Sequence, residues 1–493
     1  MYLNGRNGEI GSNIKSQSIT GVRWSGIAQA GRQIAQLITT IVLARLLAPS
    51  EFGLISMAIV VIGFISIFKD LGTSAAVIQR RELSDELLSS IFWINTGFGT
   101  FSMLLVFLGA PLGAMLYNNP QVTPVLQALS LGFFISGFTI LHQALLERSL
   151  SFGTLAKIEL AAVLSGSIAG IVLALLGAGV WSLVMQILTN VTMTTVLLWF
   201  STSWRPRLVF NWNEVKSIKN YSLNLTGFAV FNYFARNADY LLIGRYLGAQ
   251  DLGYYTLAYR ILLFPVKNIS KVISRVMFPV YSNLQDDNQR LANIYLKVSS
   301  TIALITFPLM AGVFTLSKPF IVSLFGTKWE PVILLIMILS PVGLIQSIGT
   351  TVGAIYQAKG RTDIMFRWGL VTETCAIISF IVGLRWGVIG VAIAYAIVSF
   401  ALFYPSFYIV FRLINLKVSN LIDYLYKPFL NSVVMSLLIV LFGLLISKFV
   451  SDYLYLFLAV LFGITIYTLM SYLFNRDYLY AFFEILGIKA KEG

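Results

Sequence analysis

Cysteine occurs once in the 493 residues, at Cys375, and histidine once, at His142. A lone cysteine closes no intrachain disulfide, and one residue of each kind cannot assemble a cysteine-histidine metal centre. Charge is scarce as well: 11% of the residues are Asp, Glu, Lys or Arg, against about a quarter in a soluble domain. A glycine-rich phosphate loop is missing, and with it the nucleotide-driven enzymes that such a loop marks. No cofactor is expected.

Apolar residues take the place of what is absent. They make up 57% of the chain, and the mean hydropathy is +0.81, which places the protein in a lipid bilayer. Apolar stretches of about 20 residues, the length that crosses a membrane as a helix, recur from end to end. Fourteen spans are predicted, at 18–47, 52–80, 86–117, 122–146, 152–176, 179–200, 214–247, 252–282, 289–317, 330–357, 362–385, 387–412, 424–448 and 453–474. Transmembrane strands would alternate over about ten residues, and these runs do not. The first span carries Arg23, Gln29, Arg32, Gln33 and Gln36, too polar for a cleavable signal sequence, and is expected to be retained.

Cations orient the spans, because Lys and Arg near helix ends stay on the cytoplasmic side. Most of the 35 fall in alternate connections and at both termini, while the opposite side holds only Arg45, Arg245, Lys318, Lys328, Arg385 and Lys448. Both termini are therefore expected in the cytoplasm. The net charge of +14 is mostly this topological bias, scattered over short loops rather than gathered into a nucleic-acid surface, so no nucleic-acid partner is expected.

A repeat organises the chain. Arg45 to Ala58 reads RLLAPSEFGLISMA, and Arg245 to Ala258, 200 residues on, reads RYLGAQDLGYYTLA. Weaker matches continue it: Lys157 aligns with Arg367, and Gly179-Val180 with Gly390-Val391. Six helices thus repeat as six helices in the same orientation, as in parallel-repeat transporters, whose site lies between the copies. The expected divisions are an N-terminal lobe at 1–200, a linker at 201–213, a second lobe at 214–412, and two further helices with a tail at 413–493.

Ionisable groups inside a span are costly and by default face protein or a water-filled cavity. In the first helix Gln29, Arg32, Gln33, Gln36 and Thr40 share one face; in the seventh Asn232, Arg236 and Asp239 do so. The second helix aligns Ser66, Lys69, Asp70 and Thr73, and the eighth aligns Arg260, Lys267, Lys271 and Ser274. The polar stripes fall on the same two helices of each half, which predicts a hydrated, cation-rich cavity lined by Arg32, Gln36, Lys69, Asp70, Arg236, Asp239, Arg260 and Lys267. A series of cations along a path suits an anion that must travel, since each site binds it without trapping it. Plainer readings stand beside this one: Arg236 and Asp239 as a structural ion pair, Lys69 as a snorkelling residue, and Glu147 and Glu159 as interfacial groups. Glu373 reads either as a protonatable coupling group or as the partner of a neighbouring arginine.

The segments TGVRWSGIAQ (20–29), LARLLAPSEFGL (43–54), DLGTSAAVIQRRELS (70–84), PVKNISKVISRVMFPVYSNLQDD (265–287), LFGTKWEP (324–331) and QAKGRTD (357–363), in this order, resemble the Wzx-type exporters of the polysaccharide transport family. That family shares a superfamily with multidrug/toxin extruders and peptidoglycan lipid flippases, and colanic-acid and teichuronic-acid exporters are similar members. The resemblance implies an all-α membrane fold of about fourteen helices: two six-helix lobes in a V shape and two C-terminal helices. It implies a flippase of the bacterial cytoplasmic membrane, moving undecaprenyl-pyrophosphate-linked oligosaccharide repeat units by alternating access. The implied partners are this lipid-linked glycan, membrane lipids, H+ or Na+ as a coupling ion, and polysaccharide polymerase or assembly proteins. Two rivals remain: a cation-coupled drug extruder of the same fold, which favours an acidic cavity, and a polytopic glycosyltransferase or polymerase, which needs outer loops with paired carboxylates.

Overall fold

The computed structural model describes residues 29–68, 73–80, 83–212 and 232–476, apart from the side chains of residues 75, 76, 267, 271, 272 and 274–276. Among the described residues every regular element is helical, as a bilayer demands of a chain that must satisfy its own backbone. Nine helices among the described residues are long and apolar enough to cross a membrane, and a tenth follows if Val122–Gly137 and Ile140–Arg148, bent by 44°, form one span.

The chain divides into two compact units, Met1–Gly253 and Tyr254–Gly493. The first contains α1 (29–46), α2 (Pro49–Ser66), α3 (Thr73–Gln79), α4 (Asp85–Tyr117), α5 (Val122–Gly137), α6 (Ile140–Arg148), α7 (Phe152–Leu175), α8 (Val180–Ser201), and α9 (Ala238–Tyr246) with the helical turn 232–236 before it. Helix α10 (Ala249–Pro265) begins there. The second unit continues with α11 (Lys271–Asn283), α12 (Asn288–Thr315), α13 (Ser317–Phe325), α14 (Pro331–Gly349), α15 (Val352–Ala358), α16 (Thr362–Gly383), α17 (Gly387–Phe411), α18 (Val418–Ile446) and α19 (Asp452–Phe474).

Local chemistry sets the helix ends. The Ser84 hydroxyl accepts from the Leu87 amide at 3.1 Å and opens α4; the Asp287 carboxylate accepts from the Arg290 amide at 3.0 Å and opens α12. Asn118 closes α4 in the left-handed region at φ 51°, a conformation that asparagine tolerates. Replacing Ser84 with alanine removes one cap bond, for an expected loss of about 1 kcal/mol, readable as an earlier midpoint when the purified protein is unfolded by dodecyl sulfate in mixed micelles.

Proline breaks what the hydropathy reads as single spans. Pro265 lacks the amide that an α-helix needs at that position, and a π-helical segment, Val266–Ser270, follows it within the predicted eighth span. The predicted second span also stops being one helix at Ser66, with no proline between Ser66 and Thr73, and α3 is a separate short element.

Within the first unit, helices meet through small residues, as expected where lipid supplies no hydrophobic drive for helix association. Ala162, Gly166, Gly170 and Ala174 recur every four residues on the buried face of α7. A Cβ on Gly166 would stand 2.6 Å from the Gln186 carbonyl oxygen of α8, and one on Gly170 would stand 3.0 Å from the Gln186 Cβ. Helices α4 and α5 cross in the same manner: a Cβ on Gly99 would lie 2.6 Å from the Phe133 carbonyl oxygen, and one on Gly137 would lie 2.9 Å from the Thr96 Cα.

The segment after α8 is tied to the start of α4. Trp93 Nε1 donates to the Arg207 carbonyl at 2.9 Å, the Arg207 amide to Ser89 Oγ at 3.1 Å, and the Asn211 amide to Ser90 Oγ at 2.8 Å. Arg207 also pairs with Asp85 at 3.2 Å. In the second unit, Tyr295, Phe407, Phe411 and Leu421 are among the buried residues of a core built from α11, α12, α15, α17 and α18, where Thr351 Oγ1 donates to the Tyr295 hydroxyl at 2.9 Å.

Candidate substrate path

The repeated segments take up matching backbone. Helix α1 ends at 46 and α2 opens at Pro49; α9 ends at Tyr246 and α10 opens at Ala249. The amides of Leu47 and Leu247 donate to the carbonyls of Leu43 and Ile243, each at 2.8 Å. The two turns reach this geometry differently. Pro49 pushes Ala48 into extended backbone at ψ 153°, whereas Gly248 turns at φ 89°, where a side chain would be strained.

The copies also touch reciprocally. A Cβ on Gly53 would overlap the Ala249 carbonyl, and a Cβ on Gly253 would overlap the Pro49 carbonyl, with the Gly53 amide nitrogen 3.3 Å away. Each glycine thus receives the first residue of the other copy's helix. Glu51 accepts from the Ala48 amide at 2.6 Å, and its other oxygen lies 2.5 Å from where a Cβ of Gly179 would stand. Gly179 has φ 57°. Arg245 donates to the Met115 carbonyl at 2.5 Å, covering the C-terminal end of α4.

The polar face of α1 is partly engaged. Arg32 forms an ion pair with Glu159 of α7, and its other terminal nitrogen donates to the Gln29 side chain. Gly31 faces α7 there, and a Cβ on it would make an ordinary contact with Leu160 Cδ1 at 3.7 Å. Gln36, one turn further, is exposed, and its carbonyl accepts from Thr40 Oγ1 at 2.8 Å.

Arg236 is exposed in the turn before α9. Asp239, three residues on, is buried and accepts from the Tyr240 amide at 2.8 Å. This segment is held to α2 by the Tyr233 hydroxyl, which donates to the Val60 carbonyl at 2.7 Å above Gly63. Arg32, Gln36, Arg236 and Asp239 belong to the first unit; Arg260, exposed near the end of α10, and Glu373, half-buried in α16, belong to the second. Lys69 and Asp70 lie outside the described residues, as does the side chain of Lys267.

Glu159 is the residue whose part sequence reasoning missed. Its partner lies 127 positions away in the sequence, beyond any helical spacing that could have signalled the pair. Among the described residues no group of three or more His, Cys, Asp or Glu side chains is placed to hold a metal ion. In the first unit the Arg32 guanidinium already holds an oxyanion, the Glu159 carboxylate, through a charge-assisted hydrogen bond.

Comparison with known proteins gives three findings. Residues 42–334 match a family described as "Polysaccharide biosynthesis protein". The lipopolysaccharide biosynthesis protein WzxC of Escherichia coli (strain K12) is 31% identical over 78% of this chain and 79% of its own length; the teichuronic acid biosynthesis protein TuaB of Bacillus subtilis (strain 168) is 29% identical over 88% and 90%. Among solved structures, the lipid II flippase MurJ in an inward closed conformation superposes with a TM-score of 0.72 over 92% of this chain and 99% of that one. At 18% identity this last likeness is one of fold.

Proposed function

Because the chain belongs to the family of polysaccharide biosynthesis proteins, we propose that it is a flippase that carries undecaprenyl-pyrophosphate-linked oligosaccharide units across the bacterial cytoplasmic membrane. It is a multi-pass membrane protein with the fold of the flippases and extruders of its superfamily. The observation that carries the reading is the match, across 78% of the chain, to the lipopolysaccharide biosynthesis protein WzxC.

The sequence supplies the mechanism. Two six-helix lobes rock to expose a path alternately to each side; two further C-terminal helices bring the spans to fourteen, and both termini are cytoplasmic. Arg32, Arg236, Arg260, Lys69 and Lys267 escort the pyrophosphate, while the lipid tail stays in the bilayer. Gln36, Asp70 and Asp239 complete the polar lining. Glu373 carries the coupling ion, and the energy comes from an H+ or Na+ gradient or from consumption of the product by polymerase and assembly proteins. Cations outnumber acids along this path, which favours an anionic head group over a cationic drug.

The test is transport itself. Reconstituted wild-type protein should flip the lipid-linked oligosaccharide, and a variant carrying Arg32→Ala, Arg236→Ala and Lys267→Ala should lose most of that rate, each cation contributing a charge-assisted contact that water replaces poorly in a membrane. Flipping at the wild-type rate by the triple variant would sink the assignment of the path.

A further inference from the structure

We propose that Glu159 is a resident counter-ion that holds the Arg32 guanidinium while no cargo is bound and yields it to the cargo's pyrophosphate. The inference rests on the flippase reading above and assigns a role to a residue outside the predicted path. A phosphate oxygen can accept from the same guanidinium nitrogen as a carboxylate oxygen, so Glu159 occupies on one terminal nitrogen of Arg32 the place that a cargo phosphate would take. The side chains are 26% and 44% exposed, so the protein does not seal the pair. Gln29 holds the second nitrogen, so the guanidinium stays aimed when its partner changes.

The pair has two consequences for transport. A charge in a membrane span is costly to leave alone, so only a ligand that brings negative charge can take Arg32 from Glu159; neutral and cationic lipids are refused. When the cargo moves on, Glu159 reclaims the guanidinium, which speeds release. Glu159 is in this sense a specificity residue acting through Arg32, and it need not touch the cargo.

Binding to the full-length protein in phosphatidylcholine nanodiscs separates this role from a simple staple between α1 and α7. The probes are undecaprenyl pyrophosphate and inorganic pyrophosphate, which distinguish a lipid-borne from a free anion. Glu159→Gln should tighten undecaprenyl pyrophosphate binding roughly fivefold, the scale of a partly exposed ion pair, and slow its release. Arg32→Gln should weaken it, and adding Glu159→Gln to Arg32→Gln should change nothing more. Should Glu159→Gln not survive purification, Glu159→Asp carries the test: its shorter reach should also raise affinity above wild type. Unchanged or weaker binding in these Glu159 variants overturns the proposal and leaves the flippase reading standing. A wild-type protein that binds neither probe overturns both, while binding of inorganic pyrophosphate alone in the same rank order keeps the competition and removes the lipid.

Discussion

Gly53→Val is expected to abolish folded, active protein. The position faces a backbone carbonyl, that of Ala249, and a Cβ there would overlap it. Backbone cannot swing aside as a side chain can, so α2 and α10 would have to separate at the point where each opens. Overpacking of this kind costs about 3 kcal/mol or more, a shift of roughly a hundredfold in the folded-to-unfolded ratio. Gly253→Val should do the same from the other side, since its Cβ meets the Pro49 carbonyl. The measurement is the monodisperse fraction in detergent together with flipping after reconstitution. Gly109→Val serves as the control, because nothing lies within 4 Å of a Cβ there. Wild-type yield and rate in Gly53→Val would show that the two helix starts do not meet as described.

The second large effect is expected from Gly166→Leu. Helix α7 presents Ala162, Gly166, Gly170 and Ala174 to its neighbours, and the Gln186 carbonyl of α8 stands 2.6 Å from the Cβ position of Gly166. Lipid tails are as apolar as leucine, so a pair of membrane helices gains little by burying larger apolar groups and much by close contact. A leucine forces the helices apart and forfeits dispersion contacts along the whole crossing. Stability should fall by about 2–3 kcal/mol, read as an earlier midpoint of dodecyl sulfate unfolding. Gly132→Leu, where the nearest atom to a Cβ is Leu188 Cδ2 at 3.9 Å, should change it far less. Equal midpoints for the two variants would exclude close packing as the reason for glycine in α7.

Much of the fold was legible in the sequence because a bilayer leaves the chain few choices. Apolar length alone identifies α4, α7, α8, α12, α18 and α19 as crossing elements. The doubled segment at 45 and 245 located two helix breaks that the structure puts at matching positions. The breaks after Pro265 and at Phe138–Thr139 were not legible from hydropathy, since a helix that bends in lipid stays as apolar as one that runs straight. The polar face of α1 was readable from its spacing of three and four residues. The partner that Arg32 takes was not, because a contact across 127 residues has no period.

The sequence by itself therefore determined that this protein is a helical membrane protein with a duplicated segment and charged groups inside its spans, for hydropathy and periodicity are local properties that solvent enforces. Only the tertiary structure decided which charges are compensated and which glycines are irreplaceable. Those depend on the distance between atoms of different helices: Glu159 against Arg32, the Ala249 carbonyl against Gly53. Packing alone sets such distances.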